Sequence, residues 1–175
     1  MRPIIFLDID DVLAISSVYT SYQVITTFKS GDLDAWPELW QGLVFQEART
    51  NLMKLHSEFW PQYVVSSSWS NYLTQGQMRE VFQRSGLAFV ADNMQKHWTT
   101  PKADGPSRPD EIANWIAEHG QCGQPLLVID DHDSGRGLLE SLLDQQSLVV
   151  LCEPWIGFVA AKLAEAQIKL RAQLS

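Results

Sequence analysis

Three short runs in this chain are apolar almost throughout, and each stops on polar side chains. PIIFLDI (3–9) ends among Asp8, Asp10 and Asp11. QYVVSSSWS (62–70) ends in Ser66, Ser67 and Ser68, and PLLVID (125–130) ends in Asp130 and Asp131, with Asp133 just beyond. A strand with one wet face alternates apolar with polar residues; these do not, so they belong in a sheet covered on both faces. Helical spacing fills the intervals: EARTNLMKLHSEFW (47–60) is stopped by Pro61, TQGQMREVFQRSG (74–86) is closed by Gly86, and PDEIANWIAEHG (109–120) opens on Pro109 and two acids. Alternating strands and helices predict a three-layer α/β/α sandwich around a mostly parallel, Rossmann-type sheet.

SLVVLC (147–152) reads as a further strand, and GLLESLLDQQ (137–146) and GFVAAKLAEAQIKLRAQL (157–174) as helices. LAFVAD (87–92) reads as a short strand, and the polar, Pro- and Gly-punctuated segment 93–109 as a loop. Residues 14–46 form a small insert after the first strand. SSVYTSYQVITTFKSGD alternates polar with aromatic or β-branched residues and predicts a hairpin or flap, with a short helical turn starting near Pro37. At 175 residues, the whole chain (1–175) is expected to be one domain bearing that insert.

A formal charge of −8, with no run of Lys or Arg, argues against extended nucleic-acid binding, which needs a clustered basic surface. Cys122 and Cys152 are the only cysteines, too few for a multi-cysteine zinc site or a disulfide framework. No segment reaches the length of a membrane span, and the expected setting is a reducing cytoplasm.

In an open parallel sheet, the ligand crevice lies beyond the carboxyl ends of the strands. If the three acid- or hydroxyl-tipped strands are neighbours, their tips share one pocket. Crowded carboxylates repel one another and lose solvation, so a cation belongs among them, and hard oxygen ligands suit Mg²⁺.

At this point the motifs are similar to those of the haloacid dehalogenase (HAD) superfamily of phosphohydrolases. DIDDVL resembles the DxDxV/T signature, VVSSSW the strand-end hydroxyl motif, and VIDDHD the strand-end acidic pair, in the family's order and across nearly the whole chain. The resemblance implies a small-insert phosphatase. Asp8 would be the nucleophile and Asp10 the acid and then the base. Ser67, with Ser66 or Ser68 as neighbouring alternatives, would bind phosphate. Asp8 and Asp130 would hold Mg²⁺, with Asp131 either joining them or orienting a water ligand, and with the backbone carbonyl of Asp10 as a further contact. Asp133 is read as a cap or outer residue. The family's cation, usually Lys, falls on Arg108 or Lys102; Arg108 is preferred because a helix N-terminus is itself an anion site.

The insert has room for only a small cap, which leaves the site open. Its aromatics, Tyr19, Tyr22, Phe28, Trp36 and Trp40, either stack on a nucleobase or, the better expectation, pack the insert onto the body. Trp69 either lines the pocket or anchors the next helix, while Trp60, Trp98, Trp115 and Trp155 are expected to pack. The implied partner is a small phosphorylated molecule, with nucleotides or nucleic-acid ends favoured because similar short-insert HAD domains resemble those attached to RNA-repair proteins. The alternative is a catalytically weak HAD-like binding or phospho-signalling domain. A receiver-type domain fits less well, because its phosphoacceptor sits on a middle strand that here ends in serines.

Overall fold

The computed structural model describes residues 1–101 and 107–175. Five parallel strands form one sheet in the order β3-β2-β1-β4-β5. They are β1 (Ile4–Leu7), β2 (Gln62–Val65), β3 (Met94–Thr99), β4 (Leu126–Asp131) and β5 (Val149–Cys152). Among the described residues, eight α-helices surround them: α1 (Ser21–Ser30), α2 (Pro37–Leu43), α3 (Gln46–Phe59), α4 (Gln75–Arg84), α5 (Ala88–Asp92), α6 (Arg108–His119), α7 (Leu142–Gln145) and α8 (Ala160–Leu174).

Side chains alternate across a strand, so an apolar strand must feed two cores. In β1, Ile5 and Leu7 join the larger core, which takes in Leu52 and Leu55 of α3, Met78 and Val81 of α4, and Leu163 and Leu170 of α8. Ile4 and Phe6 join the opposite one, with Val64, Val128, and Ile112 and Trp115 of α6. Phe6 and Trp115 meet edge to face at 5.2 Å between ring centres, and the Trp115 indole donates to the His97 carbonyl at 2.8 Å. That places α6 on the same sheet face as the even-numbered residues of β1.

The register then aligns the motifs. Leu7 of β1 lies beside Val65 on one flank and Ile129 on the other. The next residue on each strand is Asp8, Ser66 and Asp130, in one row, on the parity that faces α6.

Several local expectations are corrected. The 14–30 segment is not a hairpin: Val24 and Thr27 are buried and Phe28 packs against the core, an i, i+3, i+4 helical pattern, and Gly31 ends the helix at φ 76°. LAFVAD is helix α5, for the same reason: Leu87, Val90 and Ala91 are buried. The expected loop 93–109 contains β3, an edge strand with mostly solvated side chains that pairs only with β2, across a register shift between Tyr63 and Val65. An edge strand needs no apolar face, so it left no alternating pattern. Segment 137–146 is only partly helical, since Glu140 turns the chain at φ 61° between the 3₁₀ turn Arg136–Leu138 and α7. No described helix is long and apolar enough to cross a membrane.

Candidate active site

Beyond Leu7 the chain folds back sharply. Ile9 accepts from the N–H groups of Leu13 and Ala14 at 2.9 Å each, and Ile9, Val12 and Leu13 plug the core. Asp8 is left buried at the strand tip, while Asp10 sits part-buried in the turn. Asp11 adopts a left-handed φ of 57°, which costs a non-glycine residue conformational energy, and its Oδ1 accepts from the Trp155 N–H at 2.8 Å.

One carboxylate oxygen from each of Asp8, Asp130 and Asp131 lies within 4.8 Å of the others, and all three residues are buried. Arg108, the first residue of α6, is the cation that reaches them. Its Nε lies 3.1 Å from Asp130 Oδ2 and its Nη2 lies 3.7 Å from Asp8 Oδ1; its Nη1 donates to the carbonyl and, at 3.2 Å, to the hydroxyl of Ser66. The Nε–Oδ2 pair is an ion pair without hydrogen-bond alignment, so among the described residues Asp130 Oδ2 accepts no hydrogen bond. Arg108 also pairs with Glu111 at 3.8 Å.

Among the described residues, three carboxylates face one guanidinium, so full ionisation would leave negative charge uncompensated. Burial pushes the Asp8 carboxyl well above the usual carboxylate range, and Asp130 and Asp131 add to the rise, against the lowering effects of Arg108 and Ser67. Burial likewise raises Asp130 to about 6, opposed first by Arg108 and then by hydrogen bonds from Ser134 and the Asp131 N–H. A site of hard oxygens with more acids than cations among the described residues, and with an Asp130 oxygen that accepts no hydrogen bond from them, has the donor chemistry of a divalent Mg²⁺-type centre. Asp8, Asp130 and Asp131 are the residues able to hold it.

Asp10 stands apart from this cluster. Its Oδ2 accepts from the Trp69 indole at 2.9 Å. Burial raises its pKa, the Trp69 bond lowers it, and Asp11 and Asp131 raise it. Ser67 is buried beside Asp8, near enough to ease its ionisation, yet Ser67 Oγ has no hydrogen-bond partner of good geometry among the described residues. Ser68 is exposed and opens the 3₁₀ turn Ser68–Asn71. Lys102 lies outside the described residues.

Ser134 escaped the sequence reading. Its hydroxyl lies 2.8 Å from Asp130 Oδ1 and 3.5 Å from Asp8 Oδ2, and it also bonds Asp131 Oδ2. Asp131 Oδ1 accepts from the N–H groups of Asp133 and Ser134 at 2.7 and 3.0 Å, which folds the turn and turns Asp133 outward. The next residue must be small: a Cβ on Gly135 would meet the Asp131 carbonyl at 2.5 Å and Leu151 Cδ2 at 3.0 Å. Trp155, expected to pack, is 66% exposed, and so is much of Trp60; both have left-handed backbone.

In the insert, Trp40 is buried, donates to the Leu33 carbonyl at 2.8 Å, and lies under Arg84, which pairs with Asp34 and Glu80. Tyr22 and Trp36 are exposed and line a groove of about 350 Å³.

A parallel sheet with a buried aspartate at the tip of its central strand, a hydroxyl on one neighbour and an acidic pair on the other defines the HAD-like hydrolase class. Within it, the chain belongs to the family of HAD domains in Swiss Army Knife RNA repair proteins, whose model matches residues 4–163. A solved structure similar to it is a hydrolase, a haloacid dehalogenase-like family protein from Streptococcus pneumoniae, 15% identical over 100% of this chain and 99% of that one, with a TM-score of 0.46. No curated protein matches the chain in sequence.

Proposed function

We propose that the chain is a Mg²⁺-dependent phosphomonoester phosphatase working through an aspartyl-phosphate, as a single catalytic unit over 1–175 with residues 14–46 as a small cap. The observation that carries this reading is the row Ser66–Asp8–Asp130, with Arg108 paired to both acids. Such a site offers a carboxylate nucleophile, a cation and hydroxyl donors around one point.

An Asp8 oxygen attacks phosphorus and the ester bond breaks, its electron pair going to the leaving oxygen, which takes a proton from Asp10. Asp10, now a carboxylate, removes a proton from a water that attacks the same phosphorus. The bond to Asp8 breaks, its electron pair returns to the carboxylate, and phosphate is released. Arg108 offsets charge on the transferring group, and the unpartnered Ser67 hydroxyl donates to one of its oxygens. The raised pKa of Asp10 keeps a larger fraction protonated for the first step. Mg²⁺, held by Asp8, Asp130 and Asp131 with the Asp10 carbonyl as a further ligand, supplies charge neutralisation of the phosphate when bound. Lys102 is the alternative cation.

For substrate, a nucleotide or nucleic-acid end is supported by the family's description and by the exposed Tyr22 and Trp36 beside a groove. The acidic chain disfavours long nucleic acid. The test is hydrolysis of a generic phosphomonoester with Mg²⁺, followed by mass analysis of acid-quenched enzyme. Turnover with phosphate trapped on Asp8 is expected; turnover that survives Asp8→Asn overturns the proposal.

A further inference from the structure

We infer that Trp69 is a positioning residue that decides which oxygen of Asp10 faces the leaving group and carries its proton. The inference rests on the acid role proposed for Asp10 above. The Trp69 indole N–H meets Asp10 Oδ2 at 2.9 Å. Trp69 itself is 1% exposed and belongs to the larger core, so the indole has no freedom to swing away. Asp10 Oδ1 has no hydrogen-bond partner among the described residues.

An indole nitrogen donates and never accepts. Against such a donor, Asp10 Oδ2 must present a lone pair, whether the carboxyl is protonated or not. A proton on Oδ2 would turn it from a carbonyl-type oxygen into a hydroxyl oxygen, a weaker acceptor for the indole N–H. The proton of the acid form therefore resides on Oδ1, the free oxygen, which is the one available to a substrate. In the first step the Oδ1–H bond breaks as the leaving oxygen takes the proton and the P–O bond electrons. In the second step Oδ1 accepts the proton of the attacking water. Through both steps the Trp69 bond to Oδ2 is unchanged, so the carboxyl plane does not reorient between acid and base roles. A donor that could also accept, such as Ser or His, would not impose this choice.

Trp69 also lies two residues after Ser67, on the 3₁₀ turn Ser68–Asn71. The strand end that offers a hydroxyl for phosphate thus also fixes the acid, which ties the placement of the leaving oxygen to the placement of the phosphoryl group.

The test is leaving-group dependence. Trp69→Phe keeps a ring and deletes the donor; kcat/KM, which reports events up to the first irreversible step, is measured with an alkyl phosphate and with p-nitrophenyl phosphate. An alkoxide needs its proton and a nitrophenolate leaves without one. The expected result is a loss of at least about tenfold for the alkyl ester, within the range of general-acid effects, and under about threefold for the nitrophenyl ester. Equal losses on both substrates, or no loss on either, overturn the inference. Asp10→Asn is run alongside. If it shows no leaving-group dependence, the acid role itself fails; if it does and Trp69→Phe does not, only the role of Trp69 fails. Should Trp69→Phe not fold, β-(3-benzothienyl)alanine at position 69, which replaces the N–H with sulfur at nearly the same shape, gives the same comparison.

Discussion

The strand-tip site and the 14–46 insert are built on opposite terms. At the strand tips, buried charged groups are held by the register of three parallel strands and by one arginine, and the local electrostatics are unfavourable: Asp8 and Asp130 are both pushed toward their neutral forms. In the insert, Trp40 and Phe28 pack edge to face at 6.2 Å, the ion pairs of Arg84 lie near the surface, and Tyr22 and Trp36 stay in solvent. The first region carries electrostatic strain, while the second is ordinary packing with a few exposed aromatics at its edge. On the proposed reading the sheet fixes the chemistry, and the insert is left to vary contact with whatever the phosphate is attached to.

The sharpest way to break this contrast is Asp8→Asn. Turnover of a generic phosphomonoester should fall by about 10⁴-fold or more, the scale seen when a nucleophile is removed. In chelator, the same variant should melt at a higher temperature than wild type, because it removes a buried repulsive charge. A lower melting temperature would show that the site is not under electrostatic strain.

Next in size is Arg108→Met. It leaves three acids without their cation and should destabilise the metal-free protein by about 3–5 kcal/mol, measured by denaturant unfolding. Saturating Mg²⁺ at about 100 times its Kd should stabilise wild type by about 2.7 kcal/mol, and Asp130→Asn by much less.

A smaller effect follows from pH. A carboxyl whose folded pKa is raised binds protons more readily folded than unfolded, so its destabilising effect is full near neutral pH. That effect fades as pH falls through the folded value, about 6 for Asp130, toward the unfolded value near about 4. Without metal, the stability difference between Asp130→Asn and wild type should shrink over that window, and with Mg²⁺ it should not follow this course. Taking the difference cancels His56, which is buried against Tyr63, Trp60 and Phe89 and has its pKa lowered by burial and then by Arg2. His56 acts oppositely, withdrawing stability as pH falls below about 6.5.

The smallest effects belong to the insert. Trp36→Ala and Tyr22→Ala should each change stability by less than about 0.5 kcal/mol and generic turnover by less than about twofold. Against a nucleotide substrate each should raise KM by about tenfold or less, on the scale of one lost base stack. An equal rise in KM for a substrate without a base would remove the insert from recognition.

The layout of the sheet and the meeting of its acid- and hydroxyl-tipped strands were legible because buried strands ending in acids are physically abnormal, and parallel sheets collect their strand ends; which of Ser66, Ser67 and Ser68 stands in the row with Asp8 and Asp130 was not. Ser134 was not legible, since one serine in a turn has no period and its meaning lies in the three carboxylates around it. β3 was hidden by its edge position, and α1 and α5 by short runs whose apolar residues suit a strand as well as a helix turn. Trp155 misled because aromatic residues are usually read as packing, whereas this one is held outward through its backbone.

That backbone contact has a consequence for how the molecule is assembled. The N–H of Trp155 binds the Asp11 carboxylate, the N–H of Phe158 binds the Val12 carbonyl, and a Cβ on Gly157 would lie 2.9 Å from that same carbonyl. The turn bearing Asp10 is therefore clasped by a segment made nearly a hundred and fifty residues later. On the ribosome the first of the five strands can pair early, but the turn bearing Asp10 gains its final shape only once the segment after the fifth strand has emerged and docked.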